Sequence, residues 1–178
     1  MAAFTVIDHT ELTGTTVAWA ESSISASYSH LLVEASIRGA QAYYWNNLWI
    51  RVGNGSLDTG SNYSTTVLTT VNSSVPITSR ATGQTKWAYQ YCGAGSTVAN
   101  TFSAVKIWIP NYANTTGNKQ AIVQTAVENN EGTVDYWNLT HNALMWDSTA
   151  AITDIEISEP NVGMAQYSTF TLYGITGA

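Results

Sequence analysis

Charge is what this chain has least of. Asp, Glu, Lys and Arg make up 10% of its 178 residues, against about 25% in an ordinary soluble domain. Six basic residues stand against twelve acidic ones, for a net charge of −6 and a pI near 4.8. No basic stripe can form to neutralise a phosphate backbone, so direct nucleic-acid binding is not expected, and anionic membrane surfaces are disfavoured for the same reason. A single cysteine, Cys92, leaves no intrachain disulfide; beside Tyr91 at the end of an alternating run it reads as a small buried hydrophobe. No apolar run comes near the ~20 residues that a spanning helix requires. Met1 to Asp8 lacks the basic region and apolar core of a signal peptide, which points to synthesis in the cytosol of the producing cell. Sustained helical stripes, internal repeats and heptads are missing too, and Trp137 to Trp146 is the one stretch whose period is ambiguous.

Thr, Ser, Asn and Gly take the place of the missing charge. A surface that relies on neutral hydrogen bonders suits a protein that works packed against other chains. The length fits one domain, 1–178, that buries a core without metal or disulfide staples. Residues 1–27 read as an N-terminal arm or as edge strands.

The rest is organised around Thr101 to Lys119. Phe102, Ala104, Lys106 and Trp108 alternate with Ser103, Val105, Ile107 and Ile109, a period of two with apolar bulk on both faces. Pro110 then removes a backbone donor, and Asn111 to Asn118 is a run of turn-formers. This is the pattern of a central strand in a β-sandwich. Similar runs occur at Phe4–Asp8, Thr15–Trp19, Tyr28–Gly39, Leu48–Gly53, Tyr63–Val71, Lys86–Cys92, Lys119–Glu128, Val134–Trp146, Ala150–Ser158 and Thr169–Ile175. Asn72 to Gly83 reads as a long connection with a short edge strand, and Asn129-Asn130-Glu131-Gly132 as a hairpin joint. The expected fold is an all-β, antiparallel, jelly-roll-like β-sandwich of about ten strands in two sheets.

No catalytic constellation emerges. Asp58-Thr59-Gly60-Ser61 matches the aspartic-protease string, but that chemistry needs a second carboxylate and no second copy exists. Gly53-x-Gly55 and Gly93-Ala-Gly95-Ser96 lack the Lys and helix of a phosphate loop. His9, His30 and His141 share no metal-ligand spacing. Asp135, Asp147, Asp154, Glu156 and Glu159 could assemble a calcium site only if the fold gathers them, and Asp154 and Glu156 read more simply as the solvated side of a strand. No cofactor and no metal are expected. The aromatic residues, seven Trp and ten Tyr, are the other candidates. Trp49, Trp87 and Trp108 lie within strands and read as core or interface. Tyr43, Tyr44 and Trp45 fall together in a connection between strands, as a lid or an exposed contact patch. Asn111, Tyr112 and Asn114 are candidate loop contacts.

Several strings resemble those of virion structural proteins of tailed bacteriophages. They are Tyr28-Ser-His-Leu31, Asp58-Thr-Gly-Ser-Asn-Tyr-Ser64, Phe102-Ser-Ala-Val105, Ile109-Pro-Asn-Tyr-Ala-Asn-Thr-Thr116, Ser148-Thr-Ala-Ala-Ile152 and Ser168-Thr-Phe-Thr-Leu-Tyr-Gly-Ile175. The resemblance extends over most of the chain from Tyr28 onward and brings no catalytic residues with it. It implies a jelly-roll-like module on the outer surface of a capsid: a decoration (cement) protein, expected as a homotrimer bound to the major capsid protein. The other reading it implies is a tail-fibre or receptor-binding module that holds host glycan on its aromatic loops.

Overall fold

Alternating apolar positions recur along nearly every segment, and burying one face of each requires two sheets face to face. The computed structural model, which describes residues 3–70, 75–128 and 137–177, has that arrangement. Twelve strands run in chain order: β1 (Ala3–Glu11), β2 (Ala18–Glu21), β3 (His30–Ile37), β4 (Trp45–Gly53), β5 (Tyr63–Thr69), β6 (Ile77–Gln84), β7 (Trp87–Gly93), β8 (Ser103–Pro110), β9 (Lys119–Val127), β10 (Asn138–Trp146), β11 (Asp154–Ser158) and β12 (Thr169–Thr176). They form an eight-stranded sheet, β1-β12-β3-β8-β9-β10-β5-β6, and a four-stranded sheet, β2-β11-β4-β7. All pairings are antiparallel.

The winding is that of a jelly roll. The last strand, β12, lies between β1 and β3, and β11 lies between β2 and β4 in the facing sheet. With β7 and β8 completing the two halves, eight strands make the roll. Strands β9, β10, β5 and β6 then extend the larger sheet beyond it. Between the layers, Leu31, Val33 and Ile37 of β3 and Ile107 and Ile109 of β8 meet Leu48, Ile50 and Val52 of β4 and Ile155 and Ile157 of β11, all within one buried cluster. Trp19 of β2 stacks on Phe170 of β12, rings 5.1 Å apart, joining the sheets at one edge. The extension is more polar inside: Thr69 and Thr140 hydroxyls are 2.7 Å apart, and both bond Asn138 Oδ1.

Several details differ from the sequence reading. There are twelve strands among the described residues rather than about ten. The region expected to be mostly connection holds an eight-residue edge strand, β6, whose residues are almost all exposed. The ambiguous stretch is strand β10, with Asn138, Thr140, Asn142, Leu144 and Trp146 turned inward. It lies within the strand-like run expected at Val134–Trp146, and its period was ambiguous because three of those five side chains are polar. Residues 1–27 supply β1 and β2, the edge strands of the two sheets. Asp154 is buried rather than solvated, and its carboxylate accepts from Thr153 Oγ1 at 2.6 Å. The expected hairpin joint at Asn129 to Gly132 lies outside the described residues.

Tyr63 ties one sheet to the other. Its hydroxyl donates to Val52 O (2.8 Å) or Asp58 O (2.9 Å), and the ring stands edge-on to Trp87 at 5.6 Å. Burial pushes the phenol's pKa well up, so it remains a donor. Tyr63→Phe leaves the buried Val52 carbonyl and the part-buried Asp58 carbonyl without this partner and should cost about 1–3 kcal/mol, seen as a lower urea midpoint with an unchanged denaturant slope.

Candidate functional site

Tyr43, Tyr44 and Trp45 sit at the end of the sandwich where β3 passes into β4. Trp45 is the first residue of β4 rather than part of the loop, so β4 starts three positions before the expected Leu48. Its outward side chains are Trp45, Asn47, Trp49 and Arg51, on the solvent face of the smaller sheet. Tyr43 and Tyr44 are about half exposed, at 51% and 47%. Trp45 stands edge-on to Tyr43 (5.8 Å) and to Tyr91 of β7 (5.3 Å), making a run of three rings.

Backbone bonds hold this loop in place. Gly95 N donates to Gln41 O (2.8 Å), Ser96 N to Tyr43 O (2.9 Å) and Ala94 N to Tyr44 O (3.1 Å). The gripping segment, residues 94–101, is itself wrapped around Arg38, whose guanidinium donates to the carbonyls of Gly95, Thr97, Val98 and Thr101. Gly95 must be glycine, because a Cβ there would lie 2.7 Å from Gln41 O.

A buried carboxylate organises the neighbouring turn. Glu159 is fully buried and accepts from five donors: Asn46 Nδ2 (3.3 Å), Asn161 N (3.3 Å), Asn161 Nδ2 (2.8 Å), Val162 N (2.9 Å) and Gly163 N (2.7 Å). Asn46 Nδ2 also donates to Gln41 Oε1 at 2.6 Å. Glu159 thus fixes the 160–163 turn and, through Asn46, the base of the aromatic loop. The sequence showed the turn but not the role of its acid, because a lone Glu before Pro160 carries no motif. Between turn and loop lies a pocket of about 250 Å³ lined by Gln41, Tyr43, Trp45, Asn46, Asn47 and Asn161.

The second set of candidates lies at the opposite end, where His30 pairs with Pro110. Asn111 and Asn114 are exposed, but Tyr112 is fully buried, its hydroxyl bonded to Ser25 O. The expected contact role fails for Tyr112 because its ring fills the core. Asn114 Oδ1 accepts from Thr116 N and Gly117 N, closing its own turn.

Asp58 is likewise a turn residue. Its carboxylate accepts from Gly60 N (2.7 Å), Asn62 Nδ2 (2.8 Å) and Trp146 Nε1 (2.7 Å). Of the acids weighed for calcium, Asp147 accepts from Asn118 Nδ2 at 2.5 Å, Glu156 pairs with Arg51 at 3.3 Å, and Asp135 lies outside the described residues. Among the described residues no three His, Cys, Asp or Glu side chains converge as a metal site. Cys92 is fully buried, and its thiol is pushed up to about 12 by burial. Among the described residues no helix is long and apolar enough to cross a membrane.

A further surface is one the sequence did not single out: the outer face of the larger sheet. Register places Val6, Tyr173, Leu32, Trp108, Ile122 and Ala143 in one row across β1, β12, β3, β8, β9 and β10. A parallel row carries Thr171, Glu34, Lys106, Gln124, His141 and Leu68. Beside it, Ala104 and Ala126 floor a trough of about 610 Å³ that Leu139, 61% exposed, closes at one end. Trp108 therefore lies on this outer face beside His30, and Trp49 on the other outer face under Lys86 Nζ, 3.9 Å above its ring. Of the three tryptophans expected in the core or an interface, Trp87 is the one fully buried. The signal for the band was present in the cross-strand partners, which a single sequence does not pair.

Two outcomes follow from these bonds. Glu159→Gln puts an NH2 group among five donors and should cost about 1.5–3 kcal/mol, with faster amide exchange at residues 41–46 than at the core strands. For Asp58, burial raises the carboxyl pKa, but the bonds from Trp146, Asn62 and Gly60 outweigh it and hold it below the ordinary value. Its stabilising contribution is therefore complete above the unfolded pKa of about 3.9 and fades as pH falls through the lower folded value. The stability gap between the protein and Asp58→Asn, followed by urea unfolding from pH 6 down to pH 2, should shrink over that window.

No family model matches the chain, and no curated protein matches it. Among solved structures it is weakly similar to a legume lectin-like domain from Entamoeba histolytica, with 11% identity over 99% of this chain and 90% of that one and a TM-score of 0.34. A second is a protein of unknown function from Shewanella oneidensis MR-1, with 4% identity over 98% and 77% of the two chains and a TM-score of 0.25.

Proposed function

We propose that this chain is a virion structural protein of a tailed phage, a capsid decoration protein that acts by binding across neighbouring capsid subunits. The observation that carries the reading is the six-strand apolar band on the outer face of the larger sheet. Six strands at about 4.8 Å spacing and about 30 Å of strand length give a face of roughly 700 Å². That is close to the ~800 Å² per partner of a standard protein interface. Val6 and Ile122 in the band and Leu139 beside it are 55%, 43% and 61% exposed, and each would leave water on contact. Full burial of an exposed side chain of this kind stabilises by about 1.5–3 kcal/mol; these are already about half buried, so each would add roughly half of that, and several together must offset the cost of association. The two rows that cross this face hold one charged pair, Glu34 and Lys106 at 4.0 Å, with Arg80 on the β6 edge and His9, His30 and His141 also on the face, so contact would desolvate few charges. A homotrimer at junctions between capsomers would repeat the contact three times, and avidity would multiply it.

The tail-fibre or receptor-binding reading differs in copy number. A decoration protein is recovered on purified heads in tens to hundreds of copies, whereas a fibre-tip module is present in a few. Heads lacking the protein should rupture at lower temperature and regain their stability when it is added back. Leu139→Asp combined with Ile122→Asp should abolish that rescue while changing the isolated protein's stability by no more than about 0.5 kcal/mol per site, as exposed positions allow. Absence of the protein from purified particles would end the proposal.

A further inference from the structure

The pocket beside Tyr43 and Trp45 has a composition that the capsid-decoration reading does not use. Four of its six lining side chains are carboxamides, two are aromatic, and none is charged. We propose that it binds one neutral pyranose ring, the terminal or a single internal residue of a glycan.

The polarity of the amides is set by chemistry rather than by chance. Glu159 is buried among five N–H groups, and as a carboxylate it can only accept. Asn161 must therefore turn Nδ2 toward it, which leaves Asn161 Oδ1 as an acceptor at the exposed side. Asn46 must likewise present Nδ2, which it shares with Gln41 Oε1, so Gln41 keeps Nε2 as a donor. Neither Asn161 Oδ1 nor Gln41 Nε2 has a partner among the described residues. A fixed donor and a fixed acceptor beside two ring systems match a sugar, whose hydroxyls both donate and accept and whose C–H face packs on aromatic carbon. The size selects a single ring, since about 250 Å³ falls below the roughly 300–1,000 Å³ of drug-sized sites. An anionic sugar is disfavoured because the lining offers no cation and a carboxylate lies directly behind it. The loop is held before any ligand arrives, by the bonds from residues 94–96 and by Glu159 through Asn46.

This proposal stands on the pocket alone and holds wherever in a particle the chain resides. The test is a titration of the 15N-labelled protein with the methyl glycosides of glucose, galactose, mannose and N-acetylglucosamine, with the methyl glycoside of sialic acid as the anionic probe. The readout is the Trp45 indole N–H signal, assigned by its loss in Trp45→Phe. At least one neutral glycoside should give a saturable shift with a dissociation constant on the order of 1–10 mM, as expected of a small shallow site. The sialoside should give none. Tyr43→Ala and Gln41→Ala, at exposed and half-buried positions, should each weaken binding at least fivefold while the signals of the core strands stay in place, whereas Trp49→Phe should leave binding unchanged. No saturable shift with any of the four neutral glycosides would overturn the proposal, as would a preference for the sialoside or affinities unaltered in both Tyr43→Ala and Gln41→Ala.

Discussion

Burial of the two inward sheet faces against each other is the constraint from which the other features follow. Leu31, Val33, Ile107 and Ile109 on one layer and Leu48, Val52, Ile155 and Ile157 on the other are fully buried. Strand geometry then sends every second residue to the opposite face. What those alternate positions hold is free of the fold's demands, and here they hold neutral and aromatic side chains. Trp45, Asn47 and Trp49 face outward because Asn46, Leu48 and Ile50 face inward. Trp108 faces outward because Ile107 and Ile109 do not.

The loops at the aromatic end add a second kind of order, built on two charged side chains that bond backbone groups. Arg38 is ringed by backbone carbonyls and Glu159 by N–H groups, so each charge is solvated by the protein's own dipoles. In a chain with so few charges, these two hold the segments on either side of Tyr43 and Trp45. Their role explains how a loop of large exposed rings keeps one conformation without packing into the core. The bonds are directional, and directionality is what fixes which amide atoms remain free.

Most of the fold was legible in the sequence, because a period of two needs no partner to be seen. Ser103 to Ile109 and Lys119 to Val127 show it plainly, and the structure has β8 and β9 there. It was ambiguous where inward positions are polar, as in β10 with Asn138, Thr140 and Asn142, and it understated the length of an edge strand that buries neither face, as in β6. The candidate sites were legible only as composition. Tyr43, Tyr44 and Trp45 drew notice as three adjacent rings, but their pocket is completed by Asn161, more than a hundred positions away. Tyr112 looked like its exposed neighbours Asn111 and Asn114, and nothing local says that its ring turns inward. The outer band is a product of register between six strands, which alternation alone cannot supply.

The two surfaces lie on opposite sides of the slab, and this geometry bears on how they could work together. The band is on the outer face of the larger sheet; the pocket opens at one end of the smaller sheet, with Trp45 on that sheet's own outer face. If the band is the side that meets a particle, the smaller sheet points away from it, so occupation of one surface leaves the other accessible. Coupling between them would have to pass through the packed layer of Ile, Leu and Val side chains, and close packing resists the rearrangement that such coupling needs. The surfaces should therefore behave as independent sites on a rigid body, one suited by area to adhesion and the other by its fixed amides to selection.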